Sequence, residues 1–263
     1  MNTPTAINSN QICASDDDIS HYLRSTDIID WQHPTVLEQA KRLADSASSS
    51  AQSGSLSFAR NGDDGNKIDS DAIEGDEIDG DRQGAIAQAC FEWVRDHIRH
   101  SFDYQLNPIT YRASDVLKHR TGYCYAKSHL LAALLRANGI PTGFCYQRLS
   151  VDDTGAPYSL HGLNGIYLPN LLPEGDWYRV DPRGNKQGVN AQFCPPKEQL
   201  AFTLQFPEEA DFIKVIPDPL PVVLECLKTH PTWDKVLVNL PDISLSEAAH
   251  IGLEAMTKTK GKS

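Results

Sequence analysis

Three strand-like segments, TGFCYQRL from Thr142, SLHGLNGIYL from Ser159 and WYRVDPRG from Trp177, follow one another across connections too short to hold a helix. Parallel neighbours would need a crossover of roughly a dozen residues or more, so DDTGAP and PNLLPEGD restrict these segments to an antiparallel meander. The stretch just before them, RTGYCYAKSHLLAALLRANGIPTGF, reads as one long helix. Leu130, Leu131, Leu134 and Leu135 form its broad apolar stripe, Asn138-Gly139 supplies a C-terminal stop, and Pro141 prevents continuation. A helix followed by an antiparallel meander is an α+β pattern.

Upstream, TVLEQAKRLADSA has helical periodicity and then gives way to a Ser-, Gly- and Asp-rich stretch. With few large apolar side chains, residues 46–81 read as a flexible acidic insertion between two helices. Its acids, from Asp69 to Asp81, raise the question of calcium. The EF-hand order fails, because Ile73 falls at the fifth position and no glycine at the sixth, so a solvated loop is the simpler reading. Helical spacing resumes with Ile86, Cys90, Trp93, Val94 and Ile98, which places Cys90 in the core. His97 and His100 stand three apart without a carboxylate to complete an HExxH-type zinc motif, and no metal is expected. SDVLKHR reads as a short helix with Ser114 as N-cap.

The formal charge of −11 over 263 residues leaves no basic stripe to displace counterions, which argues against nucleic acid as a partner. Six cysteines at scattered positions, none in a Cys-x-x-Cys pair, fit reduced thiols better than a disulfide framework or a zinc site. The N-terminus shows neither a basic nor an apolar leader region, and the longest apolar runs fall far short of the roughly 20 residues that span a bilayer. The expectation is a single cytoplasmic domain over residues 1–263, with no membrane partner and with its oligomeric state unreadable.

Cys124 opens the long helix, where unpaired N–H groups and the positive dipole end favour a thiolate. A thiolate that transfers acyl groups also needs an imidazole to carry the proton and a third group to orient it. His161 lies on a strand after the helix and Asp181 on the next. Each has a plain alternative: a buried thiol, a hydrogen-bonded sheet histidine, and an aspartate starting a turn at Pro182. Their order and placement together carry the chemical reading.

TGYCYAKSHLLAALLRANGIPTGFCYQRL, with HGLNGIYL and WYRVDPRGNK downstream, resembles the core of the transglutaminase-like superfamily, from about Ala85 to Phe206. The resemblance implies a papain-like core, with a nucleophile-bearing helix packed on an antiparallel sheet and helices N-terminal to it. It also implies Cys124 as nucleophile, His161 as general base and acid, and Asp181 as the orienting group, in a catalytic core over 82–206 that uses no cofactor. The substrate would be a peptide or protein amide, and the acyl acceptor water or an amine. A fold kept without activity, as a binding or scaffold module, is the competing expectation. The family commonly has His-Ala-Trp where this chain has His161-Gly162-Leu163. Arg183 after Asp181-Pro182 is either a substrate-facing charge or a structural partner for acidic groups.

An oxyanion hole would take the Cys124 N–H as one donor, with Tyr104, Gln105 and Asn107 as candidates for a second. His119 reads as a surface residue and His129 as a helix-face residue, and Cys145, Cys194 and Cys226 read as packing. The segment 207–263 is expected to pack on the core through Leu227, Trp233, Val236 and Leu237.

Overall fold

The computed structural model describes residues 12–53, 80–152, 154–169, 171–173 and 176–257. Helix α1 (Pro34–Ser53) begins on a proline, whose missing N–H has no acceptor to lose at a first helical position. Val36, Ala40, Leu43 and Ala47 are buried along one face. The expected break at residue 46 is therefore displaced, because the helix continues to Ser53. Ala47 still packs inward, and the hydroxyls of Ser48 and Ser49 donate to the carbonyls of Ala44 and Asp45 at 2.9 Å each. Helix α2 (Gly80–His97) marks the other end of the acidic stretch, and Asp69–Asp79, on which the calcium question turns, lie outside the described residues.

Two short strands, β2 (Arg99–His100) and β3 (Thr121–Gly122), pair in parallel with His100 opposite Gly122. Between them lie α3 (Ser101–Tyr104) and α4 (Ala113–His119). Ser114 is not the N-cap of α4. Arg112 occupies that position without a side-chain cap, and Asp30 substitutes from a distant turn, accepting Ser114 N–H at 3.0 Å and the Ser114 hydroxyl at 2.5 Å.

Helix α5 (Cys124–Ala137) is wrapped on all sides, every residue from Cys124 to Arg136 being buried. Helices α1, α2 and α4 cover one side of it and the sheet covers the other. Each of its buried leucines contributes roughly 1.5–3 kcal/mol through lost water contact. Full burial obliges its polar side chains to find main-chain acceptors. Lys127 Nζ donates to the Ile98 and Arg95 carbonyls at 2.5 and 3.2 Å, and His129 Nδ1 contacts the Tyr111 carbonyl at 2.7 Å. Arg136 donates to the carbonyls of Arg24, Thr142 and Pro217. Gly139, at φ +73°, closes the helix in the left-handed conformation that glycine adopts without strain.

The meander forms as expected: β4 (Thr142–Ser150), β5 (Tyr158–Tyr167) and β6 (Trp177–Val180) pair antiparallel, with Gln147 opposite His161 and Asn164 opposite Val180. Two strands from the C-terminal segment, β9 (Ala210–Phe212) and β11 (Ala255–Thr257), extend the sheet to the order β11-β9-β4-β5-β6. A hairpin of β7 (Gln192–Cys194) and β8 (Lys197–Gln199) leaves Cys194 exposed beside the Pro195-Pro196 turn, contrary to its expected packing role. On the sheet's second apolar cluster, Tyr22, Cys145, Leu163, Trp177 and Val215 pack together where β1 (Cys13–Ala14) pairs with β10 (Lys214–Val215).

The C-terminal helices α6 (Pro221–Thr229), α7 (Trp233–Leu237) and α8 (Leu245–His250) close the main core. Leu227 and Val236 are buried within it and Trp233 packs against it, whereas Leu237 stays outside. No described helix is long and apolar enough to cross a membrane.

Candidate active site

Strand β6 stops at Val180, opposite Asn164, because Pro182 has no N–H to extend the ladder. Residues His161 to Leu163 of β5 therefore have β4 on one side and, among the described residues, no strand on the other. The N-terminus of α5 meets the sheet beside this gap. Gly162 makes the close approach: a Cβ there would lie 2.9 Å from Tyr125 Cδ1 and 3.3 Å from Tyr125 Cα. The Tyr125 hydroxyl donates to the Leu160 carbonyl, and Asn164 Nδ2 donates to the Ser128 carbonyl at 3.1 Å, so the strand is tied to the helix on either side of His161.

Asp181 is fully buried and its carboxylate accepts three hydrogen bonds: from His161 Nε2 at 2.7 Å, from Arg183 N–H at 3.1 Å and from Ala201 N–H at 3.2 Å. Burial works to raise its pKa, but the His161 charge and these donors prevail and hold it below the usual carboxylate value. His161 shows the converse. Burial works to lower its pKa, and the opposing charge of Asp181, with the charge and hydrogen bond of Cys124, pushes it up to about 10. With Nε2 committed to Asp181, Nδ1 is the ring atom left for Cys124.

The structure thus brings together Cys124, His161 and Asp181: a helix-terminal thiol, an imidazole and a buried carboxylate. Cys124 retains 6 % of its surface, while Cys90 and Cys145 have none, so a small reagent has a way to this thiol and not to those two. Burial alone pushes Cys90 up to about 12.

Other expected site residues fall differently. Tyr104 is exposed, with the Arg99 guanidinium 5.4 Å from its ring centre. Gln105 ends α3 in a left-handed conformation at φ 52°, and Asn107 Oδ1 accepts from Trp233 N–H at 2.9 Å. None of these described contacts involves Cys124. Arg183 is buried and pairs with Asp103, its Nη2 3.1 Å from Oδ1. His119 is exposed, and His129 is buried with its pKa lowered to about 4 by desolvation.

Three neighbours of these residues, Phe202, Asp103 and Lys127, are not among the expected site residues, and His100 is expected only as half of an incomplete metal pair. Phe202 stands edge-on to His161, ring centres 5.0 Å apart, and lies 5.5 Å from the Arg183 guanidinium carbon. His100, Asp103 and Lys127, with Arg183, line a cleft of about 350 Å³. No periodicity or motif marks Phe202 or Asp103. Lys127 did carry a signal, a charge one turn into a helix otherwise destined for the core.

A thiol at a helix N-terminus, an imidazole and a buried carboxylate thus stand together on an α+β frame. Residues 75–182, about two fifths of the chain, match the model of the transglutaminase-like superfamily. Two solved structures are similar at greater distance. One is described as a "Putative Cysteine Protease" from Cytophaga hutchinsonii, at 17% identity and TM-score 0.36, covering 64% of this chain and 43% of that one. The other is red sea bream transglutaminase, at 12% identity and TM-score 0.36, covering 58% of this chain and 27% of that one. The chain spans less than half the length of either, and the family assignment rests on the matched residues. No curated protein matches the chain.

Proposed function

We propose that the chain is a cysteine-dependent amide hydrolase or acyl transferase acting through a Cys124 thioester, within a core over 82–206. The observation that carries this is the buried His161–Asp181 couple, 2.7 Å long, on the side of the ring away from the helix-terminal thiol.

The raised pKa of His161 favours a thiolate–imidazolium pair as the resting state. The sulfur lone pair forms a bond to the amide carbon while the carbonyl π pair moves to oxygen. First-turn N–H groups of α5, which lack intrahelical acceptors, are positioned to receive that oxyanion. The intermediate collapses by breaking the C–N bond, and the His161 Nδ1 proton goes to the departing nitrogen as the thioester forms. Water, or a primary amine, then gives a proton to Nδ1 and attacks the thioester, which releases the thiolate and restores the imidazolium. Asp181 keeps the ring oriented and its positive charge balanced throughout.

The test is a paired assay of wild-type and Cys124→Ala protein. Ammonia release from glutamine-bearing peptides and incorporation of a primary amine are measured together. Both signals should vanish in the variant, and their ratio assigns hydrolase or transferase. Activity that survives the substitution would remove the mechanism. If wild type has no activity and Cys124 labels with iodoacetamide no faster than Cys226, which has the same residual exposure, the scaffold reading replaces it.

A further inference from the structure

The cleft of about 350 Å³ carries a chemistry that bond breaking at Cys124 does not use. Arg99, Arg183, Lys186 and Lys127 line it, in a chain of net charge −11. Two carboxylates also face it and both are engaged. Asp96 is held by Arg95 at 2.7 Å, and Asp103 is divided between Arg183 and Lys186, whose Nζ stands 2.6 Å from Oδ1.

Two buried polar atoms at this cleft have no hydrogen-bond partner: His100 Nδ1 and Arg183 Nη1. Their side chains are 8% and 7% exposed. His100 Nδ1 is 3.6 Å from Asp103 Oδ2, beyond hydrogen-bond reach, whereas Arg183 Nη1 stands 2.9 Å from the same oxygen, ion-paired with it but not aligned as a hydrogen bond. A buried donor without an acceptor has lost its water for nothing, so an acceptor brought by a ligand to His100 Nδ1 would recover energy that the free protein forgoes.

The cleft also adjoins the reacting residues. Arg183 N–H donates to Asp181, and His100 pairs with Gly122 two residues before Cys124, its ring 5.4 Å from that of Tyr123. Lys127 is one turn along α5 from the thiol.

We infer that this cleft is a specificity subsite for a carboxylate of the substrate, received by Arg183, Lys186 and His100 Nδ1, with Arg99 at its mouth. Asp103 already stands among these cations, so the remaining charge suits a singly charged planar carboxylate better than a phosphate dianion. The inference rests on the proposed amide chemistry for what the carboxylate is attached to, but binding does not depend on turnover.

The experiment uses Cys124→Ala protein and dye-labelled, glutamine-containing peptides that are otherwise neutral, followed by fluorescence anisotropy. One glutamate is walked through the remaining positions, and the C-terminus is left free or amidated. At least one carboxylate placement should bind about tenfold tighter than the neutral parent. Which placement does so separates an acidic side chain from a terminal carboxylate. Adding Lys186→Gln, a change at a side chain 45% exposed, should reduce the preference to about threefold or less, and about 0.5 M salt should weaken it further.

Equal affinity for every peptide overturns the subsite, and tighter binding of a phosphoserine peptide overturns the choice of carboxylate. The same peptides given to wild-type protein keep the two readings apart. Tight acidic binding with neither cleavage nor amine incorporation defeats the enzyme reading and leaves the subsite standing. Turnover without acidic preference does the reverse.

Discussion

Replacing Gly162 with alanine probes a tight approach between the sheet and α5. The added Cβ would meet Tyr125 Cα at 3.3 Å, an atom of the α5 main chain that cannot swing aside, and Tyr125 Cδ1 at 2.9 Å. The ring is itself held, buried and with its hydroxyl bonded to the Leu160 carbonyl. The strand must therefore yield by a few tenths of an ångström. Overpacking of this kind costs about 1–3 kcal/mol, which for a chain of this size lowers Tm by roughly 2–12 °C. His161 is the adjacent residue, so the same shift alters its distance from Cys124. A misplacement of about 1 Å costs on the order of 100-fold in a positioned reaction, and a shift of a few tenths therefore about tenfold. Circular dichroism gives Tm, and peptide mapping after iodoacetamide treatment near pH 6 gives the Cys124 to Cys226 labelling ratio. A Tm within about 1 °C of wild type, together with an unchanged ratio, would refute the reasoning that this contact sets the alignment.

Three further substitutions test the electrostatics. Asp181→Asn removes the charge that raises His161, so the imidazolium is lost at lower pH and labelling of Cys124 near pH 6 should slow about tenfold or more; a pH profile matching wild type would contradict the assigned role. His129 is held near pKa 4 while the unfolded chain titrates near 6.5. The unfolded state takes up the proton first, so stability is complete above the unfolded value and falls by about 3 kcal/mol as pH drops toward 4. Urea unfolding at pH 7 and 4.5 should show that loss reduced in His129→Gln, and an equal loss in both proteins would count against it. Arg179, 1% exposed, pairs with both Glu198 and Asp211. Arg179→Met strands a buried Asp211 carboxylate and a largely covered Glu198 carboxylate and should cost about 3–5 kcal/mol in urea unfolding, most of it regained when Glu198→Gln and Asp211→Asn are added; a single variant as stable as wild type would show the pairing to be without weight.

Local signals made much of the fold readable. The leucine spacing and the Asn138-Gly139 stop fix α5, and short turn-rich connections leave three strands only one way to pair. Where the reading failed, the deciding partner was distant in sequence. Asp30 caps α4 in place of Ser114, and burial of Ala47 carries α1 past the point where composition alone suggested a break. Cys194 projects from a hairpin that no periodicity signals.

By itself the sequence determined residue types and their order: a cysteine at a helix start, then a histidine and an aspartate on successive strands, inside a stretch matching one superfamily. Those properties are local, set by hydrogen bonding and hydrophobic periodicity over a few residues. Only the tertiary structure decided that Pro182 ends β6 where β5 presents His161, and that Gly162 lets the strand reach Tyr125. It also brought Asp103, 80 residues before Arg183, to divide the cations of the cleft. Such contacts depend on which surfaces meet after the core has packed, and no window of sequence contains both partners.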